Sequence, residues 1–297
     1  MRIPCHTWAC NPPHTLFLLD TALQSLDFRD GSVTAIPLPP TLKAITALHA
    51  VSADASRAIV STGADTWHVE LSSTPNPTPL PVDFATAAAF LPDQSLLIAT
   101  MAAITTCSGS HLQVALRLPQ GIPSHQQWAL APDGAHLALP APNGLAFYDL
   151  RNGHQVDNLV LGAPPDAFVV DPAWRHWAAT THQGRRLTTA GRQHGRWLID
   201  DRSQPSQRHR AWAISRDGTL LGQAITPGQP QPLWQWRRAA PHPEPLDFDH
   251  PRHPIADLIL FGDRQEHLVA ITAAGPTHHA HLLRLDPLAP PRDPHGP

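Results

Sequence analysis

A short apolar run that enters a turn of the Ala-Pro-Asp-Gly kind and leaves it as a second apolar run occurs seven times in this chain. The copies are Trp8-Ala9-Cys10-Asn11-Pro12-Pro13, Ala50-Val51-Ser52-Ala53-Asp54, Ala89-Phe90-Leu91-Pro92-Asp93, Trp128-Ala129-Leu130-Ala131-Pro132-Asp133-Gly134, Val169-Val170-Asp171-Pro172-Ala173, Trp212-Ala213-Ile214-Ser215-Arg216-Asp217-Gly218 and Leu258-Ile259-Leu260-Phe261-Gly262-Asp263. The anchor position falls at 13, 54, 93, 133, 173, 217 and 263, so successive copies lie 41, 39, 40, 40, 44 and 46 residues apart. A repeat that fills 297 residues from end to end describes one small module used again and again, not two unrelated domains.

The fourth copy shows what the module contains. Trp128 to Ala131 forms a first strand, Pro132-Asp133-Gly134 turns, His136 to Leu139 returns, Pro142-Asn143-Gly144 turns again, Leu145 to Leu150 makes a third strand, and Arg151-Asn152-Gly153-His154 leads to a fourth from Gln155 to Leu161. Asn-Gly pairs suit two-residue hairpin turns, whose backbone needs positive φ. Leu26-Asp27-Phe28-Arg29-Asp30-Gly31 lies over Tyr148-Asp149-Leu150-Arg151-Asn152-Gly153 almost residue for residue. In blades three, five, six and seven the distance from the first turn to the end of the third strand reads as 20 residues or more, which predicts longer hairpins there.

Four short strands in about 40 residues is the period of a propeller blade. Composition agrees: 34 prolines are about twice the average share, charged residues are 15% against roughly 25%, and no helical spacing survives more than about two turns without Pro or Gly. We expect an all-β fold, a seven-bladed β-propeller with about four antiparallel strands per blade. It spans residues 1–287, with blades starting near 5, 46, 85, 125, 166, 209 and 255, followed by a proline-rich tail, 288–297, too poor in apolar residues to pack. Blade seven shows three strands, and Met1 to Pro4 is the segment expected to close it.

Ser52-Ala53-Asp54, Gly63-Ala64-Asp65 and Tyr148-Asp149-Leu150 make the chain resemble the WD40-like propellers, whose blades repeat a Ser-Pro-Asp-Gly turn, a Gly-Ser-Asp turn and a Leu-Trp-Asp-Leu strand. The resemblance covers most of residues 5 to 287. It is degenerate: the Gly-His and Trp-Asp pairs of strict members are missing. Apolar packing between blades, rather than the family's buried His-Ser-Asp-Trp network, is therefore expected to hold the fold. The resemblance implies a non-enzymatic scaffold for protein–protein interaction, of the kind found in bacterial multi-component complexes. The Pro-Asp-Gly turns also resemble those of cytosolic seven-bladed lactonases, which implies a hydrolase as the alternative.

Net charge is −3 and the pI about 6.7, which leaves no basic field for nucleic acid. Lys43 is the single lysine, and the Ala, Pro, His and Arg enrichment is that of a GC-rich genome, which inflates apparent His and Arg clusters. Cys5, Cys10 and Cys107 form no CxxC, and an odd count argues against a secreted disulfide framework. No apolar run of 7 or more residues follows Arg2, and none approaches the roughly 20 of a membrane span. We expect a cytoplasmic protein, monomeric by itself, without signal peptide or anchor.

Between Arg175 and Arg216 nine arginines face two acids, Asp200 and Asp201. Trp174, Trp177, Arg185, Arg186, Arg192, Arg196, Trp197, Arg208 and Arg210 form the candidate partner-binding set, since guanidiniums among aromatics suit an acidic protein surface. The other reading is a solvated loop beside core tryptophans. His278, His279 and His281 on a strand, and Asp247, Asp249, His250 and His253 in a proline-bracketed connector, carry ligand-type side chains, but neither supplies a complete metal set, so no metal is expected. No Gly-x-Ser-x-Gly, paired Cys and His, spaced carboxylates or phosphate loop is present, so no catalytic residue and no cofactor is assigned.

Overall fold

The computed structural model describes residues 2–5, 7–11, 15–20, 22–39, 42, 45–71, 76–108, 111–117, 128–193, 196–203, 208–225, 233–238, 240–246, 255–261, 267–274 and 277–284. They form seven four-stranded antiparallel sheets and no helix. Contacts group the chain into two compact units, 1–36 with 253–297, and 37–252.

In the first unit, blade one runs through Thr7–Asn11, Thr15–Leu19, Leu23–Asp27 and Val33–Ile36. Blade seven comprises Ile255–Phe261, His267–Ala274 and Thr277–Arg284, with Arg2–Cys5 antiparallel to the last of these. Leu16, Leu18, Leu26 and Phe28 pack on Val269, Ile271 and Ala280 between the two sheets.

The second unit holds five blades. Blade two is Ala47–Val51, Arg57–Thr62, Asp65–Glu70 and Asn76–Asp83; blade three is Ala87–Phe90, Leu96–Ala99, Ala103–Ser108 and His111–Arg117. Blade four is Ala129–Leu130, His136–Ala141, Gly144–Asp149 and His154–Val160; blade five is Pro165–Val170, His176–Thr181, Arg186–Gln193 and Arg196–Asp201. Blade six is Arg208–Ile214, Leu220–Ile225, Leu233–Trp236 and the two-residue strand Glu244–Pro245. Each apolar cluster joins neighbouring sheets: Ile59 with Ile98 between blades two and three, Leu97 with Leu139 between three and four, Leu159 with Trp177 between four and five, Leu187 with Leu220 between five and six. Burial of these side chains between neighbouring sheets supplies the driving force that isolated four-stranded sheets lack.

The repeated motif has one physical cause. In blades two, three, four and six an aspartate, Asp54, Asp93, Asp133 or Asp217, accepts the backbone N–H two residues on. The turn closes through an N–H to C=O bond three residues back, from Ala55, Gln94, Gly134 and Gly218. Each of those donors takes positive φ, 57° at Ala55, 69° at Gln94, 68° at Gly134 and 85° at Gly218. Hydrogen bonds from Ser52 and Ser56 hold the Asp54 carboxyl at about 2.

Blade five reaches the same turn differently. Position 173 is alanine, and Asp171, fully buried two residues earlier, accepts the N–H groups of Ala173, Arg175 and His176 at 3.2, 2.6 and 2.6 Å. Trp174 takes the positive-φ position at 59°. The equivalence of residues 26–31 and 148–153 also holds at atomic detail: Asp27 and Asp149 each accept the N–H two residues on at 2.8 Å, and Gly31 and Gly153 close the turns onto their carbonyls.

One expectation fails. The third strand of blade three ends at Ser108, 15 residues after Asp93, so its hairpin is as short as that of blade four. The turn that shortens it, at Thr100 to Ala103, has neither Gly nor Pro; the Thr100 hydroxyl bonds the carbonyl of Ala103 and accepts the N–H of Ala102.

Candidate functional site

Strand direction reverses at every turn, so the arginine-rich stretch is dealt to two ends of blades five and six. Arg192 and Arg196 lie at the end that carries the Asp171 and Asp217 turns; Arg185, Arg186 and Arg208 lie at the opposite end. Arg210 sits within the first strand of blade six, its guanidinium 3.8 Å from the Trp212 ring centroid. The structure does not bring the nine candidate side chains together on one surface.

The three tryptophans meet in the interior. Trp177 is 1% exposed. Its ring lies edge-on to Phe147 of blade four at 5.1 Å and to Trp174 at 5.2 Å, while Trp197 stacks on Phe147 at 5.2 Å. The left-handed turn at Trp174 is what folds that indole back onto Phe147. These rings cement blade four to blade five.

Among the arginines, Arg186 pairs with Asp201 at 3.2 Å and donates to the Leu161 carbonyl, and Arg192 pairs with Asp157 at 3.1 Å. Arg185, Arg196 and Arg208 have no acidic partner among the described residues.

A cleft of about 220 Å³ opens between blades five and six, lined by His176, Thr189, Gly191, Leu198, Arg202 and Arg238 among others. Its origin is the short outer edge of blade six. Register puts Thr189, Gly191, Leu198 and Asp200 on the face of blade five turned toward blade six. Opposite them the fourth strand of blade six pairs only at Trp234 and Gln235. Leu198 is consequently left 50% exposed.

Arg202 spans the gap: it pairs with Asp200 at 3.0 Å, donates to the carbonyls of Arg237 and Arg238 at 3.2 and 2.6 Å, and lies over Trp236. Asp217 is occupied by Ser215 and Thr219, whereas Arg238 has no acidic partner among the described residues. Burial, with Arg238 and Arg175 nearby, holds the His176 imidazole below its ordinary pKa against the pull of Asp171. Leu198, His176 and Arg238 lie outside the sequence-derived set. The sequence signal for them is proline: Pro232 precedes the third strand of blade six, Pro243 precedes the fourth and Pro245 lies within it, so ladder donors run out there.

Elsewhere, His49 Nε2 lies 2.8 Å from Ser61 Oγ at a bulge of blade two, but Ser61 is 5% exposed and offers a substrate no face. His281 bonds Thr272 at 3.0 Å and His278 packs edge-on to Trp8. Among the described residues no three His, Cys, Asp or Glu side chains are placed to share a metal. Asp247, Asp249, His250 and His253, and the tail 288–297, lie outside the described residues. No described helix is long and apolar enough to cross a membrane.

No protein-family model and no curated protein matches the sequence. Three-dimensional similarity is extensive. The β-propeller domain of Cps50 (Swd1) from Myceliophteria thermophila superposes with a TM-score of 0.69 at 12% identity, over 96% of this chain and all of that one. Hydrazine synthase of Kuenenia stuttgartiensis gives 0.65 at 14% identity, over 95% and 96%. A chain of the mitotic checkpoint complex gives 0.63 at 14% identity, over 96% and 89%. These likenesses, with seven four-stranded sheets, show the fold: a seven-bladed β-propeller.

Proposed function

We propose that this propeller is a non-enzymatic scaffold that holds other proteins, working in the cytoplasm within a bacterial multi-component complex and monomeric until it meets its partners. The observation that carries the reading is the set of arginines in blades five and six that have no acidic partner among the described residues, Arg185, Arg196, Arg208 and Arg238. Exposed guanidiniums on a fixed scaffold suit carboxylate-bearing protein surfaces. Similarity to a chain of the mitotic checkpoint complex supports the reading at the level of fold. The hydrolase alternative has, among the described residues, the Ser–His contact of His49 with Ser61 to draw on, and its serine is buried.

Affinity purification from the native host tests the scaffold. The wild-type chain is expected to retain a discrete partner that is lost on charge reversal at one end, either Arg192→Glu with Arg196→Glu or Arg185→Glu with Arg208→Glu. Identical partner sets from wild type and both variants would remove the arginines from the reading, and turnover of a sugar lactone by the pure chain would replace it.

A further inference from the structure

Blade six runs out of strand before it has covered blade five. Its third strand has four residues and its fourth two, against eight and six for those of blade five. The uncovered strip shows Leu198 at half exposure, beside Thr189 and Gly191 on the same face, with His176 and Arg238 at one end. Gly191 and Gly218 both lie against the His176 ring, where a Cβ would sit 3.6 Å from Nδ1 at Gly191 and 3.5 Å at Gly218, so neither glycine shields the imidazole.

Charge decides what fits. Among the described residues, the acids near the strip are already engaged: Asp200 by Arg202, Asp217 by Ser215 and Thr219, Asp171 by three backbone N–H groups, and Glu244 by Arg237 at 3.8 Å. Arg238 and Arg196 are left over at the same end. A cationic end beside a half-exposed leucine, in a cleft between two sheets where one ends in a two-residue strand, matches an extended chain and not a compact metabolite.

We infer that the cleft between blades five and six takes an extended acidic segment of a partner protein, seating an aliphatic side chain on Leu198 and a neighbouring carboxylate on Arg238. The inference rests on the scaffold reading and specifies its docking site. Such a segment completes the outer part of blade six as a guest strand and withdraws Leu198 from water.

The test is selection of a phage-displayed random dodecapeptide library on the intact chain. Selected peptides are expected to carry Asp or Glu within two residues of Leu, Ile or Val. A labelled peptide of the selected sequence should lose about tenfold or more in affinity for Arg238→Glu and for Leu198→Asp, and keep it for Arg185→Glu with Arg208→Glu at the far end. Both cleft side chains are exposed, and unchanged melting of the variants checks the fold; Arg238→Gln and Leu198→Ser serve if either harsher change perturbs it. Selected peptides without acids, or equal binding by the cleft variants, would overturn the inference. Wild-type partner capture from the native host by Arg238→Glu/Leu198→Asp would overturn the cleft and leave the scaffold standing; failure of the wild type to retain any partner would overturn the scaffold itself.

Discussion

Blade four and blade six use the same first turn and spend their strands in opposite order. Blade four opens with two residues and ends with seven, whereas blade six opens with seven and ends with two. The long outer strand of blade four delivers Leu159, 1% exposed, to the aromatic cluster of blade five, and the interface between them is closed. The short outer strand of blade six covers little, and Leu198 stands half in solvent. A repeat therefore opens its neighbour's face by stopping early, since every residue a blade omits uncovers its neighbour.

The largest expected effect tests how tightly blade four is closed. Gly144 has φ +145°, and a Cβ there would lie 2.0 Å from the Leu159 carbonyl oxygen, so Gly144→Ala should cost about 3 kcal/mol or more in urea unfolding. A loss below about 1 kcal/mol would mean that the hairpin is looser than described.

Next comes the strap across the open side. Arg202 is 9% exposed at its side chain and donates to two carbonyls of blade six, whereas Arg151 in blade four is 75% exposed. Arg202→Ala should cost about 2 kcal/mol and Arg151→Ala under about 0.5 kcal/mol. Equal costs would erase the distinction between a strap and a surface pair.

Acid should find blade six before blade four. His209 is fully buried between Gly184 and Trp234 with neither ring nitrogen bonded, and burial holds its pKa below the ordinary value. A histidine kept neutral by folding contributes fully above its unfolded pKa, about 6.5, and loses that contribution as pH falls below it. His49, His68 and His176 are shifted in the same direction. Melting temperature should fall from pH 7 toward pH 5, and His209→Leu should flatten that slope; an unchanged slope would assign the acid limb to the other histidines.

The smallest effect belongs to the repeated turn. With its carboxyl at about 2, Asp54 stabilises above about pH 4 and loses that contribution as pH drops toward 2. Because it is solvent-exposed, Asp54→Ala should cost only a few tenths of a kcal/mol, and that difference should vanish by pH 2.

The turns were legible because their chemistry is local: an aspartate, its acceptor bond two residues on, and a positive-φ residue announce themselves in six letters. Asp171 stands inside the fifth copy, but its role in the turn escaped the pattern because its carboxylate works from two positions earlier, and the Thr100 turn escaped because it uses no Gly or Pro. The arginine stretch is divided between two ends of the sheets for a topological reason. Residues close in sequence but separated by a strand reversal stand at opposite ends of a sheet, and the tryptophans among them answer to Phe147 of the preceding blade. Leu198 was invisible for the opposite reason, since its exposure is set by what blade six lacks across from it.

The most direct measurement places a benzophenone amino acid at position 198, and in a second variant at the matching exposed outer-strand position 156 of blade four, in cells of the native host. Irradiation should join position 198 to a discrete partner protein and leave position 156 without one. Adducts of equal strength at both positions, or none at 198, would contradict a docking cleft where blade six ends.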